Sequence, residues 1–412
     1  MGKVRPEHQE GKVKPEHQEG EVRPELQHGG MKPQERSGDE KPDRTQTQAQ
    51  PERQATEVTP EQGKAAKDSA SARPGEDEAR LAPAAPGPRI VVTGASGFLG
   101  RACVAEARRH DLPVLAVTRG APLPGWADDA GIATLQLDLT APEAADRLTG
   151  ALTEDSALIH AAAHLGDDAQ ALARDTLQAN RAVHAAWTAK APRLVLISSL
   201  AVYDTDRLHP CDALRESSAL IPLPDATLRG ARDPYAGAKR LQEAMFLFDD
   251  ALDDDWILRP GAIWGPGRSW HALQGFWASK LFVTIGSEGE LPLAHVDHVA
   301  RIAVEAARTP TPGPGVLNVF DHDRPTRARF LKAHRKVHGW PRLNVTVPYT
   351  LWSAMVRLLR PVAHKLPGLF REPVLRARMM PLRYPTDRLQ SAFPGKGPRF
   401  EDLMTATREG SA

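Results

Sequence analysis

Hydrophobic and polar positions divide the chain near residue 87. Upstream, isolated apolar residues are scattered among Pro, Glu, Gln, Lys, Arg and Ala, and no aromatic side chain occurs. Downstream, short β-branched or leucine-rich runs alternate with stretches of helical period. The runs predict strands over 89–93, 113–118, 132–137, 156–161, 193–198 and 255–259. The helical patterns predict helices over 97–110, 141–151, 168–190 and 234–250. Strict strand–helix alternation predicts an α/β fold, a Rossmann-like doubly wound parallel sheet covered by helices. Beyond residue 261 the pattern is less regular. Helical periods near 272–283, 297–309, 325–337, 348–360 and 400–407, with short strands between, predict a smaller C-terminal lobe closing over the sheet.

The upstream segment, 1–86, opens with nonapeptide repeats: Gly2 to Glu10, Gly11 to Glu19 and Gly20 to His28, each of the form Gly-x-Val-x-Pro-Glu-x-Gln-x. A nine-residue period is too short for stacked solenoid units. The composition cannot bury enough apolar surface to offset chain entropy, so a disordered, low-complexity extension is expected. Either a dispensable tail, a start placed too far upstream, or a binding arm accounts for it.

Composition narrows the function. A net charge of +1 supplies no global field for nucleic acid or an anionic membrane, and no basic stripe with interleaved aromatics suggests nucleic acid. The two cysteines, Cys103 and Cys211, cannot form a disulfide framework. With no secretory signal and no apolar run long enough to span a bilayer, a cytoplasmic setting is the expectation.

Three motifs carry chemistry. Ile90-Val91-Val92 runs into Gly94, Gly97 and Gly100 and then a helix. That is the strand, tight turn and helix opening of a dinucleotide-binding unit, where glycines admit the pyrophosphate to the helix N-terminus. Tyr235 and Lys239 stand four apart at a helix start and share a face. A cation there would lower the phenol's pKa and fit it for proton transfer. A chance surface pair has the same spacing. Ser198-Ser199 ends an apolar strand, where a hydroxyl can face the ligand crevice or simply terminate the strand.

From about residue 89 to about 395 these motifs, with others in the same order, resemble the extended short-chain dehydrogenase/reductase family, which includes the NAD-dependent epimerase/dehydratase group. Thr93, Gly94, Ser96, Gly97, Phe98, Leu99 and Gly100 match its cofactor turn. Asp138-Leu139 matches its acidic position near the adenine, and Ala161, Ala162 and Ala163 follow the strand lying against the cofactor. Asn180 falls at its helix asparagine. Ser199, Tyr235 and Lys239 match its catalytic set, with Ser198, Pro260 and Ile263 in segments lining the cofactor. Leu258 to Gly267, His295 to Ala300 and Tyr384 to Arg388 match later segments. The resemblance divides 87–407 into a cofactor-binding core, 87–260, and a substrate lobe, 261–407, and a homodimer is common among such relatives. Asp204, Arg181, His298 and the long segment Thr205–Arg232 depart from the pattern.

The resemblance implies NAD(P) as cofactor. No acid follows the second strand to hold a ribose hydroxyl. Arg119 stands there instead and favours NADP over NAD through pairing with a 2′-phosphate, with Arg101 as a second candidate cation. The aromatic run Trp264, Trp270, Phe276, Trp277 and Phe282 suits either a planar small-molecule substrate or lobe packing. Residues 350–360 suit either lobe core or peripheral membrane contact. His160, His164, Asp167 and Asp168, like His295, Asp297 and His298, are read as structural, with no metal. The expected activity is interconversion of an alcohol and a ketone or aldehyde by hydride transfer. The alternatives are a nucleotide-sugar epimerase or dehydratase, and a non-catalytic NADP-binding regulator.

Overall fold

A computed structural model describes residues 88–409, apart from 165, 167, 191, 229–232, 248–253, 288, 312–314 and 367. The expected extension, 1–86, lies outside the described residues. Six strands appear where the apolar runs predict them: β1 (Arg89–Thr93), β2 (Val114–Thr118), β3 (Ile132–Gln136), β4 (Ser156–His160), β5 (Arg193–Ile197) and β6 (Trp256–Pro260). The helices between them are α1 (Phe98–Arg109), α2 (Ala144–Ala151), α3 (Ala169–Leu172), α4 (Ala179–Lys190) and α5 (Pro234–Leu247). A six-residue π-helical stretch, Ala173–Gln178, joins α3 to α4.

The C-terminal part adds β7 (Ala262–Trp264), β8 (Phe276–Ala278), β9 (Leu281–Ile285), β10 (Leu293–His295), β11 (Gly315–Val319) and β12 (Asn344–Val347). Its helices are α6 (Val296–Arg308), α7 (Arg327–His338), α8 (Tyr349–Leu358), α9 (Glu372–Met379), α10 (Asp387–Ala392) and α11 (Phe400–Glu409).

The main sheet has seven strands in the order β11-β6-β5-β4-β1-β2-β3, all parallel. Alternate side chains feed two cores. Ile90, Val92, Ala116, Ile159 and Val195 pack under α1 and α6, whereas Val91, Leu115, Val117, Leu158 and Leu194 pack under α2, α4 and Phe246 of α5. Both faces are therefore apolar, as a parallel sheet buried by crossover helices requires. The chain reverses direction between β1 and β4. In such sheets the ligand crevice opens at the carboxyl ends of the strands beside that reversal. Here those ends are Thr93, His160, Ile197 and Pro260.

The lobe is not contiguous in sequence: α6 and β11 return from the C-terminal part to complete the sheet layer. One element differs in kind from its expectation. Residues 272–283 form no helix but the hairpin β8–β9, in which Phe276 pairs with Val283 and Ala278 with Leu281. Gly275 (φ +148°) and Ser279 (φ +56°) interrupt helical geometry, and the β-branched Val283, Thr284 and Ile285 favour strand. The aromatic run packs the lobe: Trp264 and Phe282 are buried, and Trp270 meets Phe282, Phe330, His334 and Trp340. In α8, Trp352 and Val356 enter the core with Ile285 and Leu375, while Leu351 and Leu358 face solvent. Among the described residues no helix is long and apolar enough to cross a membrane.

A close contact fixes the first turn. A Cβ built on Gly100 would stand 2.1 Å from the Gly94 carbonyl oxygen and 2.8 Å from the Ala95 Cα. Both obstacles are backbone, so neither can yield as a flexible side chain would. Gly100→Ala is expected to lower the unfolding free energy by about 2 kcal/mol or more, measured by urea denaturation.

Candidate active site

The glycine turn has the features a dinucleotide needs. Gly94 has φ +67°, and a Cβ there would meet the Ala162 Cα at 2.8 Å. The β1 turn and the backbone after β4 are therefore held together by the missing side chain. Ser96 and Gly97 are exposed at its tip. Gly97 caps α1 with its backbone and supplies no side-chain acceptor to the first-turn amides. A Cβ on Gly97 would project into the turn 3.1 Å from the Gly94 oxygen. An uncapped, positively polarised helix start behind a turn bounded by glycines fits a pyrophosphate. Phe98 and Leu99 follow as the first residues of α1, half-buried and buried.

Around this turn the structure gathers most of the expected positions. Ala161, Ala162 and Ala163 continue β4 beyond its carboxyl end, half-buried. Pro260 ends β6, and Ile263 lies in β7 beyond it. Asp138 follows β3, exposed, and its carboxylate accepts from the Thr140 amide (2.9 Å) and hydroxyl (2.8 Å), which hold its pKa below the usual range. Leu139 beside it is buried. Arg119 projects into solvent after β2, with Asp175 at 3.9 Å. Ser198 is buried, and its hydroxyl donates to Glu243 Oε1 at 2.5 Å.

Tyr235 sits in the first turn of α5, half-buried. Burial raises the phenol above its ordinary pKa, the Ser199 side chain opposes that, Asp233 adds to it and the charge of Arg268 offsets it. Lys239 is where its spacing predicts, one turn on, but its charge goes elsewhere. Its buried ammonium donates to the Ile197 carbonyl and to Gln242 Oε1, both at 2.8 Å. Burial lowers its pKa to about 8, against the opposing charge of Glu243. Lys239 is thus not among the groups that lower the Tyr235 pKa; Ser199 and Arg268 are, and burial outweighs them. The arginine follows the Gly265-Pro266-Gly267 turn and stands over the Phe98 ring, 5.4 Å from its centroid. Sequence reasoning passed over Arg268. The two positive-φ glycines before it were its signal.

A buried polar chain runs from Lys239 to the glycine strand. An ammonium only donates, so Gln242 must present its oxygen to Lys239 and its nitrogen to Asn180 Oδ1 (2.9 Å). That leaves the same Oδ1 to accept from His160 Nε2 (2.6 Å). Burial drives His160 down to about 4, so the ring is neutral, and its Nδ1 accepts from the Thr93 hydroxyl at 2.7 Å. Asn180 stands just beyond the π-helical stretch, whose wider turn resets which residues face the sheet.

A second network lies behind the first. Glu243 and Arg259 form a buried bidentate pair at 2.8 and 2.7 Å, and Arg259 also donates to the Tyr203 hydroxyl, which donates to Asn318. Its far end meets the long segment after Tyr203. Cys211, Leu214 and Asp212 exchange backbone bonds with Pro381 and Arg383, and Arg376 reaches the Thr205 and Leu208 carbonyls.

The histidine and acid clusters have structural partners. His295 ends β10 and caps α6, His298 lies 3.4 Å from Asp321, His164 lies 3.7 Å from Asp175, and Asp168 caps α3. Asp167 lies outside the described residues.

The state of His160 has a measurable consequence. Its folded pKa is depressed from 6.5 to about 4, so between those values the unfolded chain binds a proton that the folded chain does not. Stability therefore falls as pH falls from about 6.5 to 4, by about 3 kcal/mol from this residue. Denaturation midpoints across that range should decline less steeply in His160→Gln than in the wild type.

Comparison with known proteins agrees with this geometry. The family model described as "NAD dependent epimerase/dehydratase family" matches residues 90–319. No curated protein sequence matches the chain. Among solved structures, MoeE5 in complex with UDP-glucuronic acid and NAD is similar at 19% identity and a TM-score of 0.56, over 78% of this chain and 98% of that one. The UDP-N-acetylglucosamine 4-epimerase of Methanobrevibacter ruminantium is similar at 18% identity and 0.56, over 79% and 98%. The Thermus thermophilus UDP-glucose 4-epimerase complex with NAD is similar at 15% identity and 0.56, over 78% and 98%. At these identities the structures establish a shared fold. The matched segment runs from β1 to β11 and spans both the glycine turn and the tyrosine helix, and the chain belongs to the NAD-dependent epimerase/dehydratase family.

Proposed function

We propose that the protein is an NAD(P)-dependent oxidoreductase that interconverts an alcohol and a ketone or aldehyde. The observation that carries this reading is the placement of Tyr235 in the first turn of α5, where Ser199 acts on its phenol, beside a glycine turn shaped for a dinucleotide. Thr93, Gly94, Ser96, Gly97, Phe98, Leu99 and Gly100 would hold the cofactor's pyrophosphate. Ala161 to Ala163, Ser198, Pro260 and Ile263 would lie along its length, and Asp138 and Leu139 near its adenine. The bound cofactor supplies or accepts hydride. Ser199 orients the substrate oxygen by hydrogen bonding, and Tyr235 passes a proton to it or takes one from it. Lys239 holds positive charge one turn from the phenol, and Asn180 acts through Gln242 to keep that ammonium in place.

A raised phenol pKa makes Tyr235 a proton donor near neutrality, which suits the reductive direction. Giving up that proton leaves a phenolate, which the Lys239 charge one turn away would stabilise, so reduction of carbonyl compounds should fall as pH rises past about 8, where the buried Lys239 loses its charge. Arg119 favours NADP: it is the cation at the end of β2, and no acid stands beside it in the chain to claim a ribose hydroxyl.

A second reading, a nucleotide-sugar epimerase or dehydratase, is supported by the family model and by the activities named for the similar structures. Against it, the segment leading into α6 carries the buried apolar residues Leu291 and Leu293 and no arginine. An epimerase would retain its dinucleotide and show no net turnover of it.

Tyr235→Phe should bind NADPH as the wild type does and lose turnover by about 10²- to 10⁴-fold, measured as NADPH consumption over a panel of carbonyl compounds. Full activity in that variant would end the assignment. Arg119→Ala should weaken NADPH binding about fivefold and leave NADH unchanged, because an exposed ion pair contributes modestly. A wild type that prefers NADH would refute the role given to Arg119.

A further inference from the structure

The C-terminal lobe contains a cavity of about 420 Å³ between α7 and the β12-β9-β8 sheet. None of its lining residues belongs to the set assigned to cofactor or catalysis, so a ligand held there does not depend on the proposed activity. Thr284 of β9 and Thr346 of β12 face each other in register on the sheet side. Lys332, Arg335 and Lys336 line it from α7. Spacings of three and four residues put these three cations on one helix face. No described lining residue is acidic.

Two observations separate this cavity from an ordinary charged surface. First, Thr284 is 1% exposed, and its hydroxyl has no hydrogen-bond partner among the described residues. A buried, unsatisfied hydroxyl costs about 1–3 kcal/mol, whereas valine would fill the same strand position without that cost. Thr284 is among the residues that line the cavity, and its hydroxyl, covered in the empty cavity, keeps its capacity to donate or accept. Second, the cations differ in how they are held. Arg335 is anchored: Nε donates to the Pro341 carbonyl (2.9 Å) and Nη2 to Asn344 Oδ1 (2.5 Å). Lys332 and Lys336 are exposed and form no ion pair with a described carboxylate. Basic residues in the last turn of a helix complement its dipole, which accounts for Arg335 and Lys336. It does not account for Lys332, one turn earlier, or for a buried hydroxyl on the opposing strand.

We propose that this cavity binds a small organic molecule bearing a phosphate group. The dianion is held by Lys332, Lys336 and the anchored Arg335, and Thr284 donates its hydroxyl hydrogen to a ligand oxygen. Ala328 and Leu331, which also line the cavity, supply an apolar wall for the organic part. The volume falls in the range that encloses small organic ligands.

Calorimetric titration of the full chain with inorganic pyrophosphate tests the anion site directly. The wild type is expected to show saturable binding in the micromolar to low millimolar range. Lys332→Glu with Lys336→Glu should weaken it at least tenfold. Thr284→Val, which changes no charge and little volume, should weaken it about fivefold, and Thr284→Ser should bind as the wild type does. Gly97→Asp places a carboxylate in the cofactor turn and should leave this binding intact. The proposal is overturned by absence of saturable binding to the wild type. It is equally overturned if Thr284→Val matches the wild type, which would reduce the effect to diffuse surface charge, or if binding disappears in Gly97→Asp, which would locate the probe at the cofactor turn.

Discussion

The buried ammonium of Lys239 is the constraint from which the arrangement of the site follows. It can only donate, and water cannot reach it, so the groups around it must turn acceptors toward it. Ile197 offers a carbonyl at the end of β5, and Gln242 offers its amide oxygen. The orientation of one amide then sets the next. Gln242 fixes Asn180, Asn180 fixes the tautomer of His160, and His160 fixes the direction of the Thr93 hydroxyl. One charge on α5 is thereby coupled through directed hydrogen bonds to α4, β4 and β1. In a low-dielectric interior such a chain holds its members in a single arrangement, because turning either amide over would set donor against donor.

The same helix explains why two networks can stand side by side. Lys239, Gln242 and Glu243 occupy positions three and four apart on α5, and all three are buried. The face this helix presents to the sheet is polar at the carboxyl ends of the strands, while Phe246, one turn on, returns to the apolar core. Glu243 meets Arg259 as a bidentate pair, which satisfies both charges where neither could remain alone. That pair also takes up the Ser198 hydroxyl, so the two successive serines at the end of β5 have different partners: Ser198 bonds inward to the structural pair, and Ser199 accepts from the Ala201 amide and acts on the phenol.

Most of the fold was legible in the sequence because its signals are local. Apolar runs of strand length, a glycine triplet and helical periods lie within single segments, and each was sufficient to place β1 to β6 and their helices. The hairpin over 276–285 reads as a helix because Leu273, Phe276, Trp277 and Leu281 recur at helical spacings, and the turn at Ser279 has no glycine or proline to mark it. The sheet's seventh strand was not singled out, since a five-residue run gains its meaning only from pairing with β6, some sixty residues earlier. At the site, residue identities were legible and their contacts were not. Gln242 gave no signal: a glutamine three residues past a lysine is commonplace on a helix, and its role appears only once both neighbours are buried.

The relation between Tyr235 and Lys239 shows why spacing alone could not settle the electrostatics. Residues four apart share a helix face, but a flexible ammonium goes to the best acceptors within reach, and here those are a strand-end carbonyl and an amide. The phenol, closer to the opening of the crevice, instead experiences Arg268, which a two-glycine turn brings back toward the start of α1. Two cations with different restraints thus belong to this part of the crevice. Lys239 is fixed by burial and directional bonds, and its charge is reduced by desolvation. Arg268 rests on an aromatic face and its side chain makes no such bond among the described residues. The fixed cation sets the geometry of the site, and the other is the one whose charge lowers the phenol's pKa.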